Sequence, residues 1–254
     1  MFGIGLDAAW IEAVMLAGVR FTAFLVIAPP FSFAGIPARI KAMLGVGLAL
    51  AVAPRVAEGY TSLDTGPFLV AIVMQLLVGL FLGFLVMMAF AAVQSAGNLI
   101  DLFGGFQLAQ AFDPQSMING AQFTRLFHMA ALALLFTTDG YQLILGGLIR
   151  SFDAIPVTMT LAAAPNPELL VGAFSQLFLS ALQIAGPMII VLFLADVGLG
   201  LLTRVAPAIN AFALGFPLKI LITLVFAGVV FLALPRVVAA ITQDVVELMM
   251  GAFS

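Results

Sequence analysis

Six ionisable side chains stand inside or at the mouths of long apolar stretches: Glu12 and Arg20, His128 and Asp139, Asp196 and Lys219. A charge in such surroundings is costly, so the group faces the protein interior or water and takes a partner. Two kinds of chemistry follow. Paired as Glu12 with Arg20 and Asp196 with Lys219, these groups hold helices together. Gathered around broken helices, the same four residues would form the midplane site of a secondary transporter for a small solute. No ladder of carboxylates runs down one stretch and no two halves repeat each other, which favours the pairing reading. His128 is the sole histidine. Asp139 lies eleven residues on, on the same helix face, but two groups lack the nucleophile that a catalytic constellation needs, so His128 is expected to be a hydrogen-bonding packing residue. There is no P-loop, no H-E-x-x-H, no G-x-S-x-G and no cysteine. The sequence therefore predicts a non-enzyme with no catalytic residue, metal site or cofactor.

The elements that position these groups are built for an apolar solvent. Of 254 residues, 64% are hydrophobic and only 8% charged, against about 25% charged in ordinary soluble domains. A mean hydropathy of +1.24 leaves too few polar side chains to clothe a water-facing globule, which predicts an all-α integral membrane protein in contact with lipid. The nine Lys and Arg are scattered and the net charge is −3, which offers a nucleic-acid backbone nothing to bind. Asp7 and Glu12 precede the first cation, Arg20, so the N-terminus is expected to be retained rather than cleaved as a signal.

A single membrane domain over 1–254 is expected, with helices at about 10–28, 42–53, 67–93, 123–149, 169–202 and 211–234. The second is too short to cross about 30 Å of hydrocarbon unaided. Gly79-x-x-x-Gly83 in the third is a small-residue pattern that permits close helix approach. Residues 94–122 are polar and broken by glycines, and predict a loop or broken helix. Asp139-Gly140 breaks the fourth helix. The tail, 236–254, is amphipathic and should rest on an interface. If all six helices cross, the cations of the links divide three to four between the two sides, so the positive-inside rule assigns no orientation. Asp196 and Lys219 flank the link at 203–210 at similar depth, and stranding either alone inside is expected to cost about 3–5 kcal/mol. The segment 104–117 joins Gly104-Gly105 to Phe106, Leu108, Phe112, the Asp113-Pro114 turn and Met117. Its apolar residues either fill a lumen, excluding water, or pack between helices; the residues alone leave both open.

Five segments in order carry a resemblance: Arg20, Ala28-Pro29 and Ile36-Pro37-Ala38-Arg39; Val78-Gly79-Leu80-Phe81-Leu82-Gly83-Phe84; Asp113-Pro114-Gln115-Ser116; Ser151-Phe152-Asp153-Ala154-Ile155-Pro156; and the stretch DVGLGLLTRVAPAINAFALGFPLK at 196–219. Together they resemble the FliR/SctT family of type III secretion export gates, its flagellar branch more closely than its injectisome branch. Gly104-Gly105-Phe106-Gln107, Gln75 and Tyr141 depart from the family's usual residues. The resemblance implies about six long, broken helices forming hairpins in a helical multi-subunit gate of the bacterial inner membrane, within the flagellar basal body. It implies a core complex with FliP and FliQ, contact with FlhB and FlhA, and passage of unfolded flagellar subunits. It also implies that 104–117, with Phe106, Leu108, Phe112, Asp113, Pro114 and Met117, plugs the closed pore.

Overall fold

A computed structural model describes residues 7–107, 122–158, 167–206 and 211–251. Among them the chain is helical, without strands: α1 (Ala8–Ile27), α2 (Ala38–Val56), α3 (Thr65–Phe103), α4 (Gln122–Thr137), α5 (Gly140–Ala154), α6 (Pro167–Val205) and α7 (Ala211–Gly251). The all-α membrane architecture is as the composition requires. Four helices, α1, α3, α6 and α7, are long and apolar enough to cross a membrane, or five spans if α4 and α5 count as one broken span. Helix α2, with Arg39, Lys41 and Arg55, is not among them.

Two boundaries differ from the sequence expectation, and a third, at Asp139-Gly140, falls where the break was expected. Helix α3 continues ten residues beyond 93, through Gln94, Asn98 and Asp101, to Phe103; the polar residues there serve contacts between helices rather than a loop. The fourth stretch divides into α4 and α5 at Asp139, whose φ of 55° is left-handed. The sixth stretch and the tail form one helix, α7, with Pro217 and Pro235 inside it; a proline removes one backbone bond, which a long apolar helix tolerates when neighbouring groups re-satisfy the freed carbonyl.

The chain divides into two compact units, one drawing on Met1–Ala89, Asp139–Ala173 and Thr242–Ser254, the other on Phe90–Thr138 and Phe174–Ile241. In the first unit α1 supplies the core, with Leu16, Ala17, Phe21 and Phe24 fully buried. At Gly79 a side chain would collide with the Arg20 carbonyl and Ala23 of α1, and at Gly83 with Phe24. The glycine pair of α3 therefore brings two backbones together, in a solvent where dispersion rather than water exclusion drives helix association. In the second unit Phe127 of α4 is fully buried between the edge-on rings of Phe123 and Phe231, 6.1 and 5.3 Å away.

Candidate functional site

Two polar clusters of the first unit centre on α1. Arg20, fully buried, is one. Its Nε donates to Gln75 Oε1 of α3 at 2.6 Å, Nη1 to Ser151 Oγ of α5 at 3.0 Å and Nη2 to the carbonyl of Ile155 at 2.6 Å. The guanidinium stands 4.0 Å over the Phe152 ring. Gln75 then donates its own Nε2 to the Val157 carbonyl at 3.2 Å. The charge is compensated by neutral acceptors at the C-terminal end of α5, which is the negative end of that helix, and by an aromatic face. The planar fork of an arginine is what allows one side chain to tie three segments at once.

Glu12 forms the other cluster. Its carboxylate accepts from Tyr60 Oη (3.1 Å), Ser62 Oγ (2.6 Å) and the Leu63 amide (3.1 Å). It thereby anchors the link between α2 and α3. Burial, then the hydrogen bond to Glu12 and its charge, push the Tyr60 hydroxyl up to about 12, so it remains a donor throughout the physiological pH range. The expected Glu12–Arg20 pair is thus corrected. The two residues are eight apart on one helix, about 12 Å along its axis, and each is satisfied by another segment. Beside them Arg55 and Asp153 form an exposed two-point ion pair, Nε to Oδ1 at 3.0 Å and Nη2 to Oδ2 at 2.5 Å.

In the second unit the structure brings Asp196 of α6 and Lys219 of α7 together, Nζ to Oδ1 at 2.6 Å. His128 Nδ1 lies 2.6 Å from Gln94 Nε2. Asp139, in the first unit, accepts from Gln142 at 3.1 Å, so His128 and Asp139 each have a separate partner. His128 keeps the packing role expected of it.

Sequence reasoning missed Asp101. Fully buried in α3, it accepts from the backbone amides of Phe123 and Thr124 at 3.0 Å each and from Thr124 Oγ1 at 3.1 Å. It caps the first turn of α4 from another helix: the free amides and positive end of a helix N-terminus suit a carboxylate. The signal was an acid in a stretch with a glycine on either side, Gly97 and Gly104; Gly97 faces the backbone of Thr124 closely. On the other side of the link, Gln107 donates to Asn98 Oδ1 at 2.8 Å. Gly105 turns the chain with φ 81°, and Phe106 packs on Phe123 with ring centres 5.3 Å apart. Both ends of the link thus rest on the last turns of α3. Of the expected plug residues, Phe106 is placed by these contacts; Leu108, Phe112, Asp113, Pro114 and Met117 lie outside the described residues. Among the described residues no group of three or more His, Asp or Glu could hold a metal ion.

Comparison with known proteins gives these clusters a setting. The family model described as bacterial export proteins, family 1, matches residues 11–245. The chain is similar to flagellar biosynthetic protein FliR of Pectobacterium carotovorum subsp. carotovorum, 31% identical over 245 residues, covering 94% of this chain and 92% of the relative. It is 32% identical over 212 residues to FliR of Escherichia coli (strain K12), covering 84% and 81%. It is 30% identical over 212 residues to Yop proteins translocation protein T of Yersinia pestis, covering 79% and 78%.

Proposed function

The chain belongs to the bacterial export proteins of family 1, and we propose from that premise how it works within the apparatus to which that family contributes. It is a membrane-embedded subunit of a flagellar, type III protein export apparatus. The finer reading is that it assembles with FliP and FliQ into the gated channel for flagellar subunits across the inner membrane, with FlhB and FlhA alongside, and that it performs no catalysis. The observation that carries this reading is the family match, which runs from residue 11 to residue 245 and so takes in every cluster described above.

Two structural features support it. Helices α6 and α7 present large apolar side chains outward, among them Phe178 (62% exposed), Phe193 (59%) and Leu232 (83%), and such faces need lipid or other helices against them. Gln107 and the first residues of α4, which flank 108–121 in the sequence, both bond to α3, through Asn98 and Asp101, so the same helix anchors the described residues on either side of the expected plug. A solute site built on Glu12 and Arg20 loses support, because both side chains are already saturated by neighbouring segments.

Expressing the chain with and without FliP and FliQ tests this reading. A discrete complex that forms only with both partners is expected, together with loss of filaments when the gene is deleted. A stable, solute-binding monomer in a deletion background that still swims would refute it. In the assembled complex, deletion of 108–112 is expected to leave assembly intact while the resting membrane leaks small ions. A tight membrane would assign the seal to the partners.

A further inference from the structure

The last turns of α2 and α5, both in the first unit, end against one another. Arg55 of α2 holds Asp153 of α5 in its two-point ion pair, and beside that pair lies a cavity of about 280 Å³. Its walls are of two kinds. Val56, Phe152 and Val157 are buried and make the inner wall. Glu58, Tyr60 and Thr158 bring side-chain oxygens to it from the links that follow the two helices. The Arg20 cluster fixes the inner wall, because its guanidinium lies over the Phe152 ring and Gln75 holds the Val157 carbonyl. The cavity therefore has a preformed shape.

The groups that can still bond there are mostly acceptors. A helix leaves its last four carbonyls without amide partners, and at these two ends the cap amides of Ala57 and Ile155 take those of Ala53 and Ser151. The Tyr60 hydroxyl gives its proton to the bond with Glu12, which leaves it lone pairs. The Glu58 side chain is exposed and makes no hydrogen bond or ion pair with any described residue. The charge of Arg55 is answered by Asp153. What remains is the Glu58 carboxylate together with the C-terminal ends of two helices, and a helix C-terminus is a negative end.

We propose that this cavity binds the charged end of a lysine or arginine side chain carried by a neighbouring polypeptide. Ammonium and guanidinium groups are donors only, which matches walls made of acceptors. Their charge suits an unanswered carboxylate between two helix C-termini, and their apolar stems suit Val56, Phe152 and Val157. Asp153 already receives a guanidinium, that of Arg55, at the edge of the same cavity. An anion would face Glu58 and both negative helix ends. A metal ion finds too few ligands, since among the described residues no three carboxylate or imidazole groups gather. A free polyamine has further charges for which the cavity holds no second unpaired carboxylate. The site stands on this chain's own geometry and does not depend on the export reading.

The test uses the full-length chain in detergent. The sequence has no cysteine, so Thr158→Cys places a single thiol in the cavity wall, and its rate of alkylation by N-ethylmaleimide reports whether the cavity is filled. N-acetyl-arginine amide and N-acetyl-lysine amide are the probes, with N-acetyl-citrulline amide as the neutral counterpart and spermidine as the free polyamine. The two cationic amides are expected to slow alkylation saturably, and the citrulline amide is expected to have no effect. Glu58→Gln should weaken the protection about threefold, the scale of a solvent-accessible ion pair. Asp64→Asn, which alters an acid of the same link that does not line the cavity, should leave it unchanged. In the wild type the same probes should shift the methyl resonances of Val56 and Val157, and this measurement decides if a variant loses its helicity by circular dichroism. Equal protection by the citrulline amide overturns the proposal, as does full protection that survives Glu58→Gln. Absence of both protection and methyl shifts overturns it. Spermidine that protects where the single cations do not assigns the cavity to a free polyamine and overturns it as well.

Discussion

The cluster at Arg20 and the ion pair of Asp196 with Lys219 solve the same problem, a charge within apolar helices, in opposite ways. Arg20 is fully buried and its charge meets neutral acceptors from α3 and α5, with no carboxylate involved. Asp196 and Lys219 have each other, yet their side chains remain 45% and 22% exposed. The surroundings differ in the same sense. Half of the most apolar window of α3 is buried, at 50%, against 22% for that of α7. One region is finished by the chain itself. The other is left open, and its finishing must come from lipid or from neighbouring subunits.

The largest expected effect lies in the finished region. Arg20→Ala leaves Gln75 Oε1 and the Ile155 carbonyl without their donor in a buried setting, and frees the exit of α5 from α1 and α3. A cost of about 2–5 kcal/mol is expected, from two buried neutral acceptors left without a donor at about 1–3 kcal/mol each, with the lost packing of the side chain. Arg20→Lys keeps the charge but reaches one acceptor instead of three, so it should fall between. Thermal unfolding and yield of the detergent-solubilised chain measure both. If Arg20→Ala unfolds at the wild-type temperature, the cluster is ornament and the contrast between the two regions fails.

A smaller loss is expected at Asp101. Removing a carboxylate cap from a helix N-terminus costs about 1–2 kcal/mol. Asp101→Ala should therefore speed amide exchange at Phe123 and Thr124 by roughly tenfold or more, while amides in α1 stay as they were. Unchanged exchange at those two amides would mean that packing of Phe123 on Phe106 and Phe127, not the cap, holds the start of α4.

The cap and the Arg20 cluster also show where sequence reasoning stops. Composition and apolar run length were enough for the membrane class, because those quantities are set by the solvent a helix faces. The Gly79 and Gly83 pair was visible as a spacing, since close approach has few other solutions. Asp101 was not, because a polar residue near a glycine reads locally as a loop when it is in truth reaching across to another helix. Arg20 was matched with the nearest opposite charge, Glu12, whereas its partners lie 55, 131 and 135 residues away and are uncharged. Partners of that kind follow from three-dimensional packing, and nothing in the local pattern encodes them. Gln75 did stand out as a departure from the family's usual residue, and it is the one that receives the Arg20 Nε.

The smallest effect in the isolated chain, and the sharpest test of the comparison, is at Asp196 and Lys219. Buried, this pair would lose about 3–5 kcal/mol when one member is removed. With a 2.6 Å contact but substantial exposure, it behaves in detergent as a surface pair, worth about 0–1 kcal/mol. So Asp196→Ala and Lys219→Ala should each shift the unfolding of the isolated chain little, and the double variant little more. In the complex proposed above, helices of other subunits would cover α6 and α7, and the stranded charge would lose its solvent. Each single variant should then lower complex yield markedly, and the double variant should recover part of the loss because no charge is left alone. A double-mutant cycle run in both states separates the contributions. Coupling that grows on assembly means that partners complete this region; equal, small coupling in both states means that it faces water or headgroups in the apparatus too. Additive losses in the complex would show that the two residues act through other neighbours and that their contact does not hold α6 to α7.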